Sequence, residues 1–182
     1  FSYFSLTNIG NQPEDNEFSD TTTYYTEQNL RWKVTDTAPI DLTVQGNMRS
    51  GEDNDRLRLG FRWRLNDTAF LSPFFKAINL SYSINFHAVQ IDDVEADVWQ
   101  MEHVFAMAFP YLTDRLYLAG FIDHTFNEDL PDEVPSDPAV AEVQLGLRLV
   151  ENFYAIAEWR LNQYRRSDVN NLALGVEYKI KW

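Results

Sequence analysis

Apolar and polar residues alternate one for one over long stretches of this chain, and a period of two fits a strand and not a helix. Ile40, Leu42, Val44 and Met48 share one parity, with Asp41, Thr43, Gln45 and Asn47 on the other. Leu57, Leu59, Phe61, Trp63 and Leu65 interleave with Arg58, Gly60, Arg62 and Arg64. Val143, Leu145, Leu147 and Leu149 alternate with Glu142, Gln144, Gly146 and Arg148. Leu172, Leu174, Val176, Tyr178, Ile180 and Trp182 alternate with Ala173, Gly175, Glu177, Lys179 and Lys181. About ten such segments can be marked, each near the ~10 residues of a membrane-spanning strand. They fall at residues 2–8, 24–34, 40–49, 56–65, 78–90, 98–109, 115–126, 141–150, 153–164 and Asn171–Trp182. The first mixes aromatic and polar residues on both faces. The sixth and seventh admit either parity, and His103 faces outward if Trp99, Met101 and Phe105 do.

The connections alternate in character. One set is long and acidic, at residues 10–22, 51–55, 91–97, 127–138 and 165–170. The other set is mostly short, at residues 35–39, 110–114 and 151–152. Residues 66–76 are a longer exception, whose Phe70, Leu71, Phe74 and Phe75 suit a membrane interface. Long loops on one rim and short turns on the other is the pattern of outer-membrane barrels.

A soluble sandwich or barrel also alternates, so the composition of each face decides between the readings. One parity is crowded with charge: Arg56, Arg58, Arg62 and Arg64 share it on the fourth segment. The opposite parity of the third, fourth, eighth, ninth and tenth segments carries no charge. In lipid every backbone polar group must be paired and the outward face must be apolar. Trp32, Trp63, Phe109 and Trp182 fall near one end of their strands, as an interfacial aromatic girdle requires. The expectation is an all-β chain folded as a transmembrane antiparallel up-and-down β-barrel. It has about ten strands, with twelve admissible, and forms one domain over residues 1–182. The even count puts both termini at the same, periplasmic, end. Asn171–Trp182 is expected to close the barrel. Its terminal aromatic, with an apolar residue at every second position before it, resembles the signal read by the outer-membrane insertion machinery.

Composition narrows the partners. With no cysteine there is neither a disulfide framework nor a cysteine metal site. No run approaches ~18 apolar residues, so no transmembrane helix is expected. No export signal is visible, as in a chain from which it has been removed. A formal net charge of −13 argues against nucleic acid, because phosphate binding needs a basic patch. The expected surroundings are outer-membrane lipid and lipopolysaccharide of a Gram-negative cell. No cofactor, metal site or catalytic residue is expected.

Three constellations could carry chemistry. The lumen-facing parity holds Arg58, Arg62, Arg64, Glu142, Arg148, Glu158, Arg160, Glu177 and Lys179. Facing acids and bases form either a salt-bridge network that plugs a narrow barrel or a charged constriction that sorts small solutes. The acidic loops group Glu14, Asp15, Glu17 and Asp20, then Glu52, Asp53 and Asp55, then Asp92, Asp93, Glu95 and Asp97, then Glu128, Asp129, Asp132 and Glu133. Such clusters attract cations or simply solvate a rim, and none has the spacing of a dedicated calcium loop. The histidines are His87, His103 and His124. Asp123–His124 invites a catalytic reading, but neighbours on a strand point to opposite faces. His87 shares a parity with Asn79, Ser81, Ser83 and Asn85.

From the sixth strand onward the chain resembles the nucleoside-specific channel (Tsx-like) family of outer-membrane proteins. The carrying residues are Trp99–Gln100, Phe109–Pro110 and Gly120–Phe121–Ile122–Asp123, then residues 154–159 (Tyr-Ala-Ile-Ala-Glu-Trp) and Val176–Glu177–Tyr178. Thr26–Glu27 with Trp32 is a fainter echo. The family has twelve strands and an aromatic, lysine-rich run after the Glu158 position, where this chain has Arg160–Leu161–Asn162–Gln163. The resemblance implies a monomeric channel-like barrel admitting small polar, nucleoside-like solutes. The alternatives from other classes are a closed barrel with a structural or partner-binding role, and a hydrolase resembling the omptins or outer-membrane lipases.

Overall fold

The computed structural model describes residues 1–10, 23–51, 55–91, 95, 97–165 and 167–180. Ten strands run in chain order: β1 (Ser2–Gly10), β2 (Thr23–Lys33), β3 (Ile40–Arg49), β4 (Arg56–Arg64), β5 (Leu80–Ile91), β6 (Trp99–Ala108), β7 (Leu116–Phe126), β8 (Ala139–Val150), β9 (Phe153–Asn162) and β10 (Asn170–Tyr178). They form one sheet in which each strand hydrogen-bonds to its chain neighbours, antiparallel throughout. This is the up-and-down barrel topology that the alternation predicts. No helix among the described residues is long and apolar enough to cross a membrane, so a crossing would be made by strands.

Burial is inverted relative to a protein folded in water. Asn29, Asp41, Thr43, Gln45, Asn47, Arg58, Asn85, His87, Gln90, Gln100 and Thr125 are buried, whereas Leu42, Leu57, Leu59, Phe61, Leu145, Leu147, Leu149 and Trp159 are exposed. The register explains the split. Asp41 opposes Arg62 and Gln45 opposes Arg58, so polar side chains of adjacent strands stack on the concave face, while Leu42 opposes Phe61 on the convex one. The convex face is the one that lipid would solvate.

The sheet curls back on itself. Arg58 of β4 donates to Gln100 of β6 at 2.6 Å, and Tyr117 of β7 donates to Glu177 of β10 at 2.5 Å. The closure expected of Asn171–Trp182 is not made among the described residues: β10 pairs with β9 and β1 pairs with β2. The outward side of β1 is polar, unlike that of β10. By register Phe4 and Leu6 share the concave side with Asn29 and Glu27, while Tyr3, Ser5 and Thr7 lie on the convex side. There Tyr3 bonds Gln28, Gln28 bonds Ser5 at 2.8 Å, and Thr7 bonds Thr26 at 3.0 Å. Lys181 and Trp182 lie outside the described residues.

Two local departures interrupt the plain alternation. A β-bulge interrupts the β4/β5 register between Leu59 and Phe61. It brings the Phe86 carbonyl against Gly60, where any Cβ would overlap it. It also shifts the concave face of β5 from His87 to Gln90, leaving Val89 outside. Residues 66–76, expected as an interfacial loop, contain a 3-10 turn (Leu65–Asp67) and a short helix α1 (Ser72–Ala77). Phe75 is buried and stacks on Tyr82 at 6.1 Å, while Phe70 and Phe74 are exposed. The two-residue β8–β9 turn holds Asn152 at φ 62°, a left-handed conformation that asparagine tolerates better than most residues.

Candidate functional site

The interior divides into two unlike halves. Over β2 to β7 it is filled. The Arg58 guanidinium donates to Gln90 (2.9 Å), Gln45 (3.2 Å) and Gln100 (2.6 Å), and the residue is 3% exposed. Three amide oxygens, and no direct carboxylate, satisfy this buried charge. Arg62 donates through Nε to Asp41 at 2.8 Å. Arg64 lies 3.5 Å from the same carboxylate and 3.0 Å from Asp67, and donates to the Ala38 carbonyl at 2.7 Å. Asn85 bonds Glu102, which lies 3.7 Å from His87 Nε2. Asn29 and Tyr25 both donate to Glu27, at 2.5 and 2.8 Å.

Several buried atoms of this half have no protein hydrogen-bond partner: Asn29 Oδ1, Thr43 Oγ1, Asn47 Oδ1, Asn85 Oδ1, both His87 ring nitrogens and Asp123 Oδ1. Buried polar atoms are costly unless bonded, so a cluster of them calls for small polar guests such as water.

Over β7 to β10 the interior is open. Arg160 is 59% exposed; it pairs with Glu142 at 3.3 Å and with Glu158. Gly175, on the same side, has nothing within 4 Å of where a Cβ would stand. A cleft of about 340 Å3 runs along the β10 edge of this side, lined by Gln144, Glu158, Arg160, Gly175 and Glu177 and also by the outward Leu174 and Val176. Toward the short-turn rim, Tyr117 bridges Glu177 and Gln144, and Lys179 lies 3.2 Å from Glu177. Arg148, at that rim, pairs with Asp114 at 2.6 Å. A second cleft of about 750 Å3 sits under α1 at the same rim, lined by Asn66, Asp67, Lys76, Asn79 and Ser81 among others.

The long-loop mouth is latched. Arg56, at the start of β4, pairs with Glu95 at 2.9 Å and Glu128 at 2.8 Å. Tyr164, beyond β9, donates to Glu128 at 2.5 Å. Burial and the Glu128 carboxylate raise the Tyr164 phenol above its ordinary value. Two of the acids expected to line a solvated rim, Glu95 and Glu128, are therefore folded inward onto an arginine. Glu14, Asp15, Glu17, Asp20, Glu52, Asp53, Asp92 and Asp93 lie outside the described residues. No group of three or more possible metal ligands occurs among the described residues.

Of the nine residues expected at the lumen, the eight that lie in strands share one face of the sheet and Lys179 follows the end of β10; they fall in two environments. Arg58, Arg62 and Arg64 belong to the filled half, while Glu142, Glu158, Arg160, Glu177 and Lys179 border the open one. Arg148 sits at its rim. Trp32 and Trp63, near the ends of β2 and β4, and Phe109, just past β6, all lie at the short-turn rim, where Trp63 Nε1 donates to Thr68 at 2.8 Å. Trp182 is outside the described residues. At the other rim Trp99 and Phe126 stack at 4.1 Å, a second aromatic band that the sequence reading did not single out. Asp123 faces inward and His124 outward, beside Phe126, so the two do not share a site. His103 faces outward, bonded to the Tyr82 hydroxyl at 2.7 Å.

No family model matches the chain, and no curated protein matches it either. Two solved structures are similar in fold. One is described as "KdgM porin", with a TM-score of 0.51 and 12% identity, covering 98% of this chain and 92% of that one. The other is described as "NanC porin structure in rhombohedral crystal form", with a TM-score of 0.56 and 11% identity, covering 98% and 93%. The fold shared with them is that of a porin-like β-barrel. The likeness is to porins by description, and it does not extend to the nucleoside-specific channels that the short motifs resemble.

Proposed function

We propose that this chain is an outer-membrane channel of a Gram-negative cell, admitting small polar solutes along the β7–β10 side of its lumen. The carrying observation is the contrast between the two halves. Arg58 is enclosed by glutamines, whereas Arg160 stands exposed, with the partly buried Glu158 and Glu142 beside it and empty space at Gly175. Convergent charge of both signs suits polar solutes that are neutral or zwitterionic, and would slow ions of either sign by local binding. Nucleosides are the first class to try, given the motifs of residues 99–178. The porin-like fold supports the reading, as does the apolar convex face, for which outer-membrane lipid and lipopolysaccharide are the fitting solvent. The β10 strand is the part that insertion machinery would engage, with both termini periplasmic.

Planar-bilayer recording of the folded protein tests this directly. Discrete single-channel currents are expected, and folded protein that never conducts would overturn the reading. A specific observation favours the second reading, a closed barrel with a structural role. The buried side chains of Arg58, Asp41 and Glu102, each held in its own set of polar contacts, and the Arg56 latch both narrow the path. A non-conducting barrel is what that reading expects. The separation of Asp123 from His124 gives the hydrolase reading no support.

A further inference from the structure

At the short-turn end of the open side, Lys179 occupies an aromatic box. Its ammonium lies 3.9 Å from the centroid of Tyr117 and 4.5 Å from that of Tyr154. The two rings meet edge to face, 5.6 Å apart at 74°, and so form two adjoining walls. Glu177 supplies a carboxylate 3.2 Å from the ammonium. The box is braced from outside. Tyr117 donates its phenol to Glu177 at 2.5 Å and accepts from Gln144 at 2.9 Å. Gly146 leaves the space that the Tyr117 ring fills, since a Cβ there would overlap the ring.

Two π faces and one carboxylate around a single point are the chemistry that recognises an ammonium ion. The occupant is weakly held by comparison with its walls. Lys179 lies just past the end of β10, is 38% exposed in its side chain, and carries its charge on a flexible four-carbon stem. Its backbone is anchored by a bond from its N–H to the Asn152 carbonyl at 2.9 Å, so the side chain can swing out while the strand stays in place.

We propose that Tyr117, Tyr154 and Glu177 form a binding site for small organic ammonium ions at this mouth of the lumen, with Lys179 as its tethered competitor. A cation entering the box replaces the lysine ammonium charge for charge. A plain latch between β7 and β10 would need the Tyr117–Glu177 bond alone. It does not account for a cation stationed over both rings. The proposal does not depend on conduction, because the site can fill in a barrel that passes nothing.

The test is equilibrium binding of tetramethylammonium to folded protein in detergent, by isothermal titration calorimetry, with sodium chloride as the ionic control. Lys179→Gln vacates the box and is expected to tighten binding about tenfold over the unaltered chain. Tyr154→Leu in the Lys179→Gln background removes one wall and should abolish that gain. Equal affinity in the unaltered and Lys179→Gln proteins, or a gain that survives Tyr154→Leu, overturns the proposal. A second measurement needs no variant. Tetramethylammonium should expose Lys179 and speed its acetylation, read by peptide mass spectrometry, relative to sodium chloride; an unchanged rate also overturns it. Binding without single-channel current would remove the channel reading and leave this site standing; current without binding does the reverse.

Discussion

Tyr117 on β7 and Glu177 on β10 are joined phenol to carboxylate at 2.5 Å, across the two intervening strands β8 and β9. The contact measures how strongly the sheet curls, and it fixes the aromatic wall that borders the open side of the lumen. Tyr117→Phe keeps the ring and removes this bond together with the weaker one accepted from Gln144. Hydrogen bonds to charged groups contribute about 1.5–3 kcal/mol, so a loss near that size is expected in urea unfolding of the folded protein. Unfolding at an unchanged midpoint would mean that the bond does not stabilise the curl.

The two halves of the lumen make opposite predictions. Gly175→Trp adds a large side chain where nothing lies within 4 Å of the would-be Cβ. It should fold normally and lower single-channel conductance by obstructing the β7–β10 side. Conductance equal to that of the unaltered chain would place the path elsewhere.

Arg58→Ala acts on the filled half. It leaves the Gln45, Gln90 and Gln100 oxygens without their shared donor in a buried setting. Each orphaned acceptor costs about 1–3 kcal/mol, so thermal unfolding should move sharply downward. Water entry could soften the cost but would then be visible as increased conductance.

Gly60→Ala tests the bulge. The added Cβ would overlap the Phe86 carbonyl, a backbone atom that cannot turn aside. Overpacking typically costs about 1–3 kcal/mol, and more where backbone must shift. The expected readout is a lower urea midpoint, and an unaltered midpoint would show that the strands part without cost.

The long-loop latch carries a pH dependence. The Tyr164 phenol is raised above its ordinary value of 10.0 by burial and then by Glu128. A group whose folded value is raised contributes stability fully below its unfolded value and loses it as pH climbs past that point toward the folded one. Stability and resistance of residues 127–138 to limited proteolysis should therefore hold up to about pH 10 and fall above it. Tyr164→Phe should weaken the latch at neutral pH and flatten that alkaline decline.

Much of the fold is legible in period alone. Strands β3, β4, β8, β9 and β10 present one uncharged parity, and the alternation gave their faces directly. The bulge beside Gly60 was not legible, because nothing in the alternation of residues 78–90 says where an extra residue is absorbed. The helix α1 was hidden for a related reason: the aromatic spacing of residues 70–75 fits an interfacial loop as well as a single helical turn. Parity groups the strand residues expected at the lumen on one face, but it carries no sign of how they divide between two environments. Arg58 and Arg160 are equivalent in sequence pattern. One meets three glutamine oxygens and the other stands in open space because register and curl select their neighbours. Tyr117 and Tyr154 were missed, since the seventh strand admitted either parity and an aromatic on the inner face carries no periodic signal.

The strand order has a consequence for assembly. Every ladder among the described residues joins strands adjacent in the chain, so the pairing can grow one hairpin at a time without long loop closures. Chains rich in local contacts reach their folded state fastest, because little entropy is lost before contacts form. Contacts such as Tyr117 to Glu177, separated by 60 residues, then form last, as the wall rolls up. The final shape of the interior is therefore set late, by side chains, after the strands are already laid side by side.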